Sequence, residues 1–394
     1  MRHVLVVGAS LAGVRVAENL RSLGFDGRLS LIGAEQHLPY DRPPLSKELL
    51  TGSLDPDAVV FHERAWFADH DIDLRLGERA VHLDPQRRTL QTTEGTLEYD
   101  ELVVATGARA RNPFPQAPRG VCTLRTLDDA EAFRAALTAA AHLVVIGGGF
   151  IGLEVASSAR ALGKDVTVVE VADTPLVRSL GVETAPAVAD LARNHGIRLL
   201  CGRSVTALGG TGSVESVRLD NGEDIDCDLV LLGVGAVPNT EWLDGAGLEI
   251  TSAGIVCDPT GRAGEHLWAA GDVCSWRDTV GVAHRHEHWT SAAEQATLVA
   301  HNLLGDDSRT LTSAPYVWSD QFGRRINLIG TTTGYDAVRV LGHDVSDLVA
   351  LYARHGLLVG ACVVDQASLM LKCRRWVAER TPVTAIPAWD LARV

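Results

Sequence analysis

A chain of 394 residues, 46 % hydrophobic with 38 glycines, has the composition of a globular protein with room for two or three domains. Its net charge of −14 argues against nucleic acid as a partner. No apolar run approaches the roughly 20 residues that span a bilayer, which argues against a membrane partner. The charge is uneven: from Arg309 onward ten Lys/Arg face seven Asp/Glu, whereas the first 308 residues carry −17. A mildly basic end on an acidic body is suited to docking an acidic partner.

The chain opens "MRHVLVVGAS", a short strand running into a glycine turn with no apolar h-region or cleavage site, so the expected location is cytoplasmic. "HVLVVGASLAG", "VRVAENLRSLG" and "GRLSLIGAE" read as strand, turn, helix ended by Gly24, and second strand. A dinucleotide turn needs glycines for the bend, for backbone approach to the pyrophosphate and for helix-on-strand packing, and the helix N-terminus offers N–H groups to the phosphates. Gly8 and Gly13 are in place and Ser10 holds the middle position, with Ala9, Leu11 and Ala12 completing the turn. The acid for a ribose hydroxyl is Glu35, one residue beyond the usual place at Ala34.

Next comes "LPYDRPPLSKEL", where prolines interrupt the pattern and introduce Lys47, one of only three lysines among 36 cationic residues. "YDELVVATG" is a buried strand closing on a small-residue turn, Ala105, Thr106 and Gly107. The nucleotide pattern then returns complete in "HLVVIGGGFIGLEVASSARALGKDVTVVE": Gly147, Gly149 and Gly152 with Phe150 and Ile151 between them, then helix, strand and a terminal Glu170. An acid there accepts hydrogen bonds from an unmodified ribose and repels a 2′-phosphate, which favours NAD over NADP. "HLWAAGDV" ends on Gly271 and Asp272, a carboxylate at a strand's C-terminal end. It is placed either to hold a ribityl hydroxyl or to cap a following helix. Two nucleotide units imply two dinucleotides, FAD and NAD(H), with the NAD domain inserted into a discontinuous FAD domain. Beyond residue 309, strand patterns ("VWSDQF", "RINLIGTT", "LVALYAR", "LLVGACVVD") precede a helix at "SLMLKCRRWVAER".

Through "PYDRPPLSKELL", "GGGFIGLEVA", "GVGAVPNTEW", "AAGDV", "EHWTSAAEQA" and "PYVWSDQFG", nearly the whole chain resembles the glutathione-reductase-like two-dinucleotide flavoproteins. Within them it looks like the NADH:ferredoxin reductases of the putidaredoxin-reductase type. The resemblance implies an α/β fold of two Rossmann-like dinucleotide-binding domains plus a C-terminal α+β interface domain. The divisions expected are 1–111 with 238–308 for FAD, 112–237 for NAD, and 309–394 for the interface. It implies FAD at Gly8 to Gly13, Arg42, Lys47, Val81, Arg125, Asp272 and Trp289. NADH is implied on Gly147 to Glu154, with Glu170 at its ribose and Gly235 near the nicotinamide half. Lys47 is expected to pair with Glu154 beside the flavin, a compact ammonium suited to a single-point contact. Trp318 is expected over the flavin, facing the acceptor. Departures from the family pattern are Ser10, Ala34 and Ser291.

The implied activity is transfer of electrons from NADH through FAD to an iron–sulfur ferredoxin serving a cytochrome P450 or Rieske oxygenase. Docking is expected near Arg324, Arg325, Lys372, Arg374 and Arg375 in the C-terminal domain. Rubredoxin reductase and NADH oxidase remain alternatives on the same fold. A thiol-dependent reductase needs an early cysteine, and residues 1–121 contain none. An effector of the apoptosis-inducing-factor kind binds DNA through basic surface, which this acidic chain opposes. Seven scattered cysteines without a C-x-x-C pair argue against zinc or a protein-held cluster. "HRHEH" aligns His284, His286 and His288, and the expectation is no metal there.

Overall fold

The computed structural model describes residues 1–278, 281–305, 309–342 and 344–387. The expected boundary at 308 and the last residues, 388–394, lie outside the described residues. The chain forms two compact units, one of Met1–Asp41, Asp57–Arg109 and Ala236–Thr312, the other of Arg42–Pro56, Ala110–Gly235 and Ser313–Val394.

The first unit is built on a six-stranded sheet in the order Arg262–Gly264, Leu267–Ala269, Glu101–Val104, His3–Val7, Arg28–Gly33, Ile72–Leu76. All neighbours pair in parallel except the first two, which are antiparallel. Strand His3–Val7 is buried along its whole length, as a central parallel strand covered on both faces must be, so it is apolar from Val4 to Val7, and its first residue, His3, bonds Ser30 at 3.0 Å. The helix Leu11–Ser22 presents Ala12, Val14, Val16, Ala17 and Leu20 to this core, and Gly24, at φ +87°, takes the chain out of the helix. At Gly8 the chain must turn at φ +121°, and a Cβ there would lie 2.1 Å from the Ala105 carbonyl oxygen, so only glycine lets the two strand ends meet.

The second unit repeats the plan. Its parallel sheet runs Arg198–Cys201, Asp165–Glu170, His142–Ile146, Leu229–Leu232, Val121–Cys122. Helix Phe150–Ala161 follows the glycine turn at the end of the central strand. The C-terminal part is a five-stranded antiparallel sheet, Tyr316–Gln321, Arg324–Gly330, Leu357–Val364, Val349–Arg354, Ala337–Leu341, backed by helix Ala367–Ala378. One apolar cluster joins the parallel and antiparallel parts, running from Leu143, Leu153 and Val168 through Leu180 to Ile326, Tyr352 and Cys362. Buried Tyr352 donates to the Leu180 carbonyl at 2.5 Å and pairs with Thr184 at 2.9 Å, which anchors the C-terminal sheet to the loop beyond Glu170. The α/β class and the two doubly wound sheets are as expected from sequence.

Candidate functional site

In the first unit the expected site residues gather at the carboxyl end of the parallel strands, where an open α/β sheet holds ligands. The turn Gly8 to Gly13 lies beside Ala105, whose N–H donates to the Val7 carbonyl at 2.7 Å. Asn239, from "VPNTEW", clamps the adjoining loop: its amide donates to Thr106 O at 2.9 Å, its backbone N–H to Gly107 O at 3.0 Å, and Thr106 donates to its carbonyl at 3.0 Å. Glu35 lies just beyond the end of strand Arg28–Gly33, and the buried Tyr40 hydroxyl donates to its Oε2 at 2.6 Å. Trp289 opens helix Trp289–Leu303, and its indole N–H is pinned on Asp41 Oδ1 at 2.7 Å. The "YD" of the proline passage therefore orients two other site residues. Val81 is 47 % exposed on a strand whose register slips between Ala80 and His82.

Asp272 lies in the turn after Gly271, whose N–H donates to the buried Gln295 side chain at 2.8 Å. The element that follows is the strand Cys274–Arg277, so the helix-capping alternative for Asp272 fails. Arg285 reaches this turn, its Nε donating to the Asp272 carbonyl at 3.0 Å and its Nη1 pairing with Glu287 at 2.5 Å. The three histidines form a row with ring centroids 6.1 and 5.7 Å apart. Burial pushes His288 down to about 4, aided by His286 and opposed by Asp272, and burial and His284 lower His286. Among the described residues no cluster has the makings of a metal site.

In the second unit the turn Gly147 to Gly152 has the same geometry as the first. Gly147 sits at φ +107°, and a Cβ there would lie 2.3 Å from Gly233 O. The Glu170 carboxylate accepts the Gly148 N–H at 2.7 Å on one oxygen and the Ala172 N–H at 2.8 Å on the other. It is thus fixed at the lip of the turn with lone pairs left over. Gly235, at φ +99°, accepts the Arg111 N–H at 2.9 Å. Arg42 donates to the Arg125 carbonyl, at the start of helix Leu127–Ala139, where Thr126 and Asp129 form a capping box. Lys47 Nζ meets Glu154 Oε2 at 3.1 Å, with side chains 14 % and 4 % exposed. Ser46, the last residue of the 3-10 turn Pro43–Ser46, donates its hydroxyl to the same Glu154 oxygen at 2.5 Å. Half-buried Trp318 stacks on Tyr316, 6.0 Å between centroids, and Arg374 lies 5.0 Å from the Tyr316 ring.

Whether such turns are shaped for nucleotides can be tested on the glycines and the buried donors. Gly149 has φ −77°, open to any residue, and a Cβ there would meet nothing within 4 Å. Neither backbone nor packing requires glycine at Gly149, so its absent side chain leaves room for a phosphate over a helix N-terminus. Ser10, the equivalent residue, is extended at φ −120°, so serine is tolerated there without strain. In the first unit Arg285 Nη2 and His288 Nδ1 are buried without partners, donors and acceptors that a polar ligand would satisfy. The residues present fit two dinucleotides.

Residues 2–296 match the pyridine nucleotide-disulphide oxidoreductase family, and residues 316–393 match the Reductase C-terminal family. The chain belongs to the pyridine nucleotide-disulphide oxidoreductases. This oxidoreductase is 37 % identical over 337 residues to the ferredoxin–NAD(+) reductase subunit of a benzene 1,2-dioxygenase system from Pseudomonas putida, covering 84 % of this chain and 81 % of the relative. It is 34 % identical to a rubredoxin–NAD(+) reductase of Pseudomonas putida, covering 92 % and 95 %. A covalent putidaredoxin reductase–putidaredoxin complex superposes with a TM-score of 0.92 at 30 % identity, covering 100 % of this chain and 98 % of that one. The resemblance drawn from the motifs is borne out, and membership of the family implies nucleotide cofactors.

Sequence reasoning gave no positioning role to Tyr40, Asp41, Ser46, Asn239, Arg285 or Ser319, the residues that hold the expected site residues in place. All six lie in stretches quoted for other residues, which was the one signal available. Arg324 and Arg325, counted as free positive charge, are committed to Asp365 at 3.0 Å and to Asp320 through two contacts at 2.7 and 3.0 Å.

Proposed function

We propose that the protein is an FAD-dependent NADH:ferredoxin oxidoreductase that supplies electrons to a cytochrome P450 or Rieske oxygenase. The observation that carries this reading is the buried pair of Lys47 with Glu154, on the helix that follows the second glycine turn, in a chain with two such turns and no early cysteine. When bound, FAD supplies the chemistry that converts a two-electron donor into single electrons for an acceptor. Residues 1–111 and 238–308 form its domain, residues 112–237 the NAD domain, and residues 309–394 the interface domain.

The chain's own residues bind, orient and tune. The turn Gly8, Ala9, Ser10, Leu11, Ala12 and Gly13 with Glu35, Val81, Ala105, Thr106, Gly107, Gly271, Asp272 and Trp289, all in the first unit, serves FAD. The turn Gly147 to Gly152 holds the NADH pyrophosphate, and Glu170, already fixed by two N–H groups, accepts the ribose hydroxyls. Gly235 lines the nicotinamide half. Lys47 sets a positive charge where negative charge develops on reduction, and Glu154 fixes it. No protein acid or base is needed for hydride transfer, so none is assigned.

Trp318 and Tyr316 offer an aromatic face, and exposed Lys372 and Arg375 beside Arg374 supply its positive charge. An acidic iron–sulfur protein complements that surface. Rubredoxin is the second candidate acceptor, favoured by two relatives at 34 and 35 % identity. Among the described residues no helix is long and apolar enough to cross a membrane, and seven free thiols suit a reducing cytoplasm.

Anaerobic stopped-flow mixing tests the reading. FAD absorbance should bleach with NADH far faster than with NADPH, and the reduced protein should then reoxidise on an acidic ferredoxin. Fast bleaching by NADPH, or reoxidation by oxygen alone at the ferredoxin rate, overturns it.

A further inference from the structure

Helix Phe150–Ala161 carries Glu154 into the interior, where the residue is 3 % exposed. A carboxylate so buried is held charged only by donors on its oxygens. Ser46 and Lys47 share Oε2, at 2.5 and 3.1 Å. Oε1 has a different partner, the hydroxyl of Ser319 at 2.6 Å. Ser319 is fully buried on strand Tyr316–Gln321 and accepts the side-chain amide of Gln321 at 2.8 Å. A hydroxyl has one hydrogen, so an amide donated to its oxygen leaves that hydrogen for Glu154. The chain of donation runs from Gln321 to Ser319 to Glu154, and Lys47 donates to the same carboxylate from the other side.

A carboxylate gripped on one oxygen still turns about its last bond; gripped on both it does not. The helix is tied to the same strand and its turn one step further on, where the Phe322 N–H donates to Ser157 Oγ at 2.7 Å. On the other side Ser158 Oγ donates to the Ser46 carbonyl at 2.7 Å. Side chains alternate along a strand, so Val317, Ser319 and Gln321 face this network while Tyr316 and Trp318 face the opposite way.

We propose that Ser319 is a positioning residue for hydride entry: by holding Glu154 Oε1 it fixes the carboxylate's rotation and hence the place of the Lys47 ammonium. The proposal rests on Lys47–Glu154 being the pair at the nicotinamide site. It makes the strand that bears Trp318 also the strand that sets Lys47.

The chain has three lysines, so holoprotein labelled with ¹³Cε-lysine gives three resonances, from Lys47, Lys164 and Lys372, and Lys47→Arg identifies the first. In Ser319→Ala with full flavin content, the Lys47 signal should narrow and move toward that of exposed Lys372. The signal of Lys164, held by the Thr138 and Ala140 carbonyls at 2.9 and 2.7 Å, should stay in place. Flavin reduction by NADH should slow about tenfold, the size of one lost hydrogen bond to a charged group. The same substitution in a Lys47→Met background should cost less than twofold. Ser319→Thr, which keeps the hydroxyl, should restore the Lys47 signal. Should Ser319→Ala not fold, Gln321→Met releases the Ser319 hydroxyl and should shift the Lys47 signal in the same direction. A Lys47 resonance unmoved in the folded variant, or a tenfold slowing that persists without Lys47, overturns the proposal. A wild-type protein that NADH does not reduce overturns the functional reading instead, while the resonance still reports on Ser319.

Discussion

On the proposed reading Glu170 sets the choice between the two nicotinamide cofactors, and its replacement by glutamine separates charge from shape. The carboxylate is fixed by N–H groups at 2.7 and 2.8 Å, so a ribose bound to it in the proposed way has a fixed place. A 2′-phosphate put there would meet the carboxylate at contact distance. Two unit charges about 4 Å apart at an effective dielectric constant of about 20 repel by about 4 kcal/mol. Half-exposure and ~0.15 M salt reduce this to about 2 kcal/mol, a factor of about 30. The ribose hydroxyl, on the other side of the ledger, loses a charged acceptor worth about 1.5 kcal/mol, a factor of about 10. Glu170→Gln should therefore raise kcat/KM for NADPH about 30-fold and lower that for NADH about 10-fold by these estimates, moving the preference by about 300-fold. Glutamine keeps one oxygen for the Gly148 N–H, so the turn should persist, and an unchanged melting temperature checks that. Steady-state assays at fixed ionic strength with both cofactors read the ratio. A ratio that moves less than about threefold in a folded variant would show that Glu170 is not beside the ribose, and the NADH assignment would go with it.

Asp41→Ala removes the acceptor of the Trp289 indole, and losing a hydrogen bond to a charged group should cost about 1.5–3 kcal/mol of stability. Flavin should then leak on dialysis, and tryptophan emission should shift to the red; retention of both signals refutes the pinning role. His288, held at about 4 against an ordinary 6.5, should make stability fall as acid is added. The unfolded chain takes the proton between pH 6.5 and 4 while the folded one resists, a loss approaching about 3 kcal/mol at the lower end, with His286 acting in the same direction. His288→Gln should flatten that slope in calorimetric scans across the window. Lys372→Glu with Arg375→Glu should raise the ferredoxin KM about tenfold at low salt and weaken its salt dependence, with flavin reduction unchanged. Arg325→Glu should instead lower stability, because it breaks a bidentate pair with Asp320.

The parallel sheets were legible because a strand covered on both faces is apolar along its buried run, and the "VLVV" and "LVVI" that follow His3 and His142 could be little else. The two turns were legible because close approach forces glycine at Gly8 and Gly147, a constraint visible in one letter. Strand Ala337–Leu341 was missed: an edge strand with mixed exposure has neither a continuous nor a strictly alternating pattern. The helix-capping alternative at Asp272 failed for a related reason, since nothing local separates a carboxylate that starts a helix from one in a turn between strands. Ser46 and Ser319 were invisible because a serine has no periodic or spacing signature. Their common partner is 108 residues from one and 165 from the other. Arg324 and Arg325 were misjudged because counting charge does not reveal pairing, and a partner 41 residues away at Asp365 cancels Arg324.

The Glu154 network links folding and function in the second unit. A buried Lys–Glu pair is weak evidence for stability, because desolvation of the two ions offsets much of their attraction. Here the remaining lone pairs are taken up by Ser46 and Ser319, the condition under which such a pair is tolerated. The network draws on three places: the proline segment Arg42–Pro56, which supplies Ser46 and Lys47 as donors, the first strand of the C-terminal sheet, which supplies Ser319, and the helix that presents the accepting carboxylate. Absence of any one leaves a buried charge short of a partner, at a cost of about 3–5 kcal/mol for a broken pair. Completion of the network is therefore a consequence of the whole unit having folded, and Lys47 reaches its place only then. The prolines of "PYDRPPLSKEL" serve the same end: Pro43 and Pro44 open a short 3-10 turn that brings Ser46 and Lys47 out side by side, so one turn of backbone delivers both donors to one oxygen.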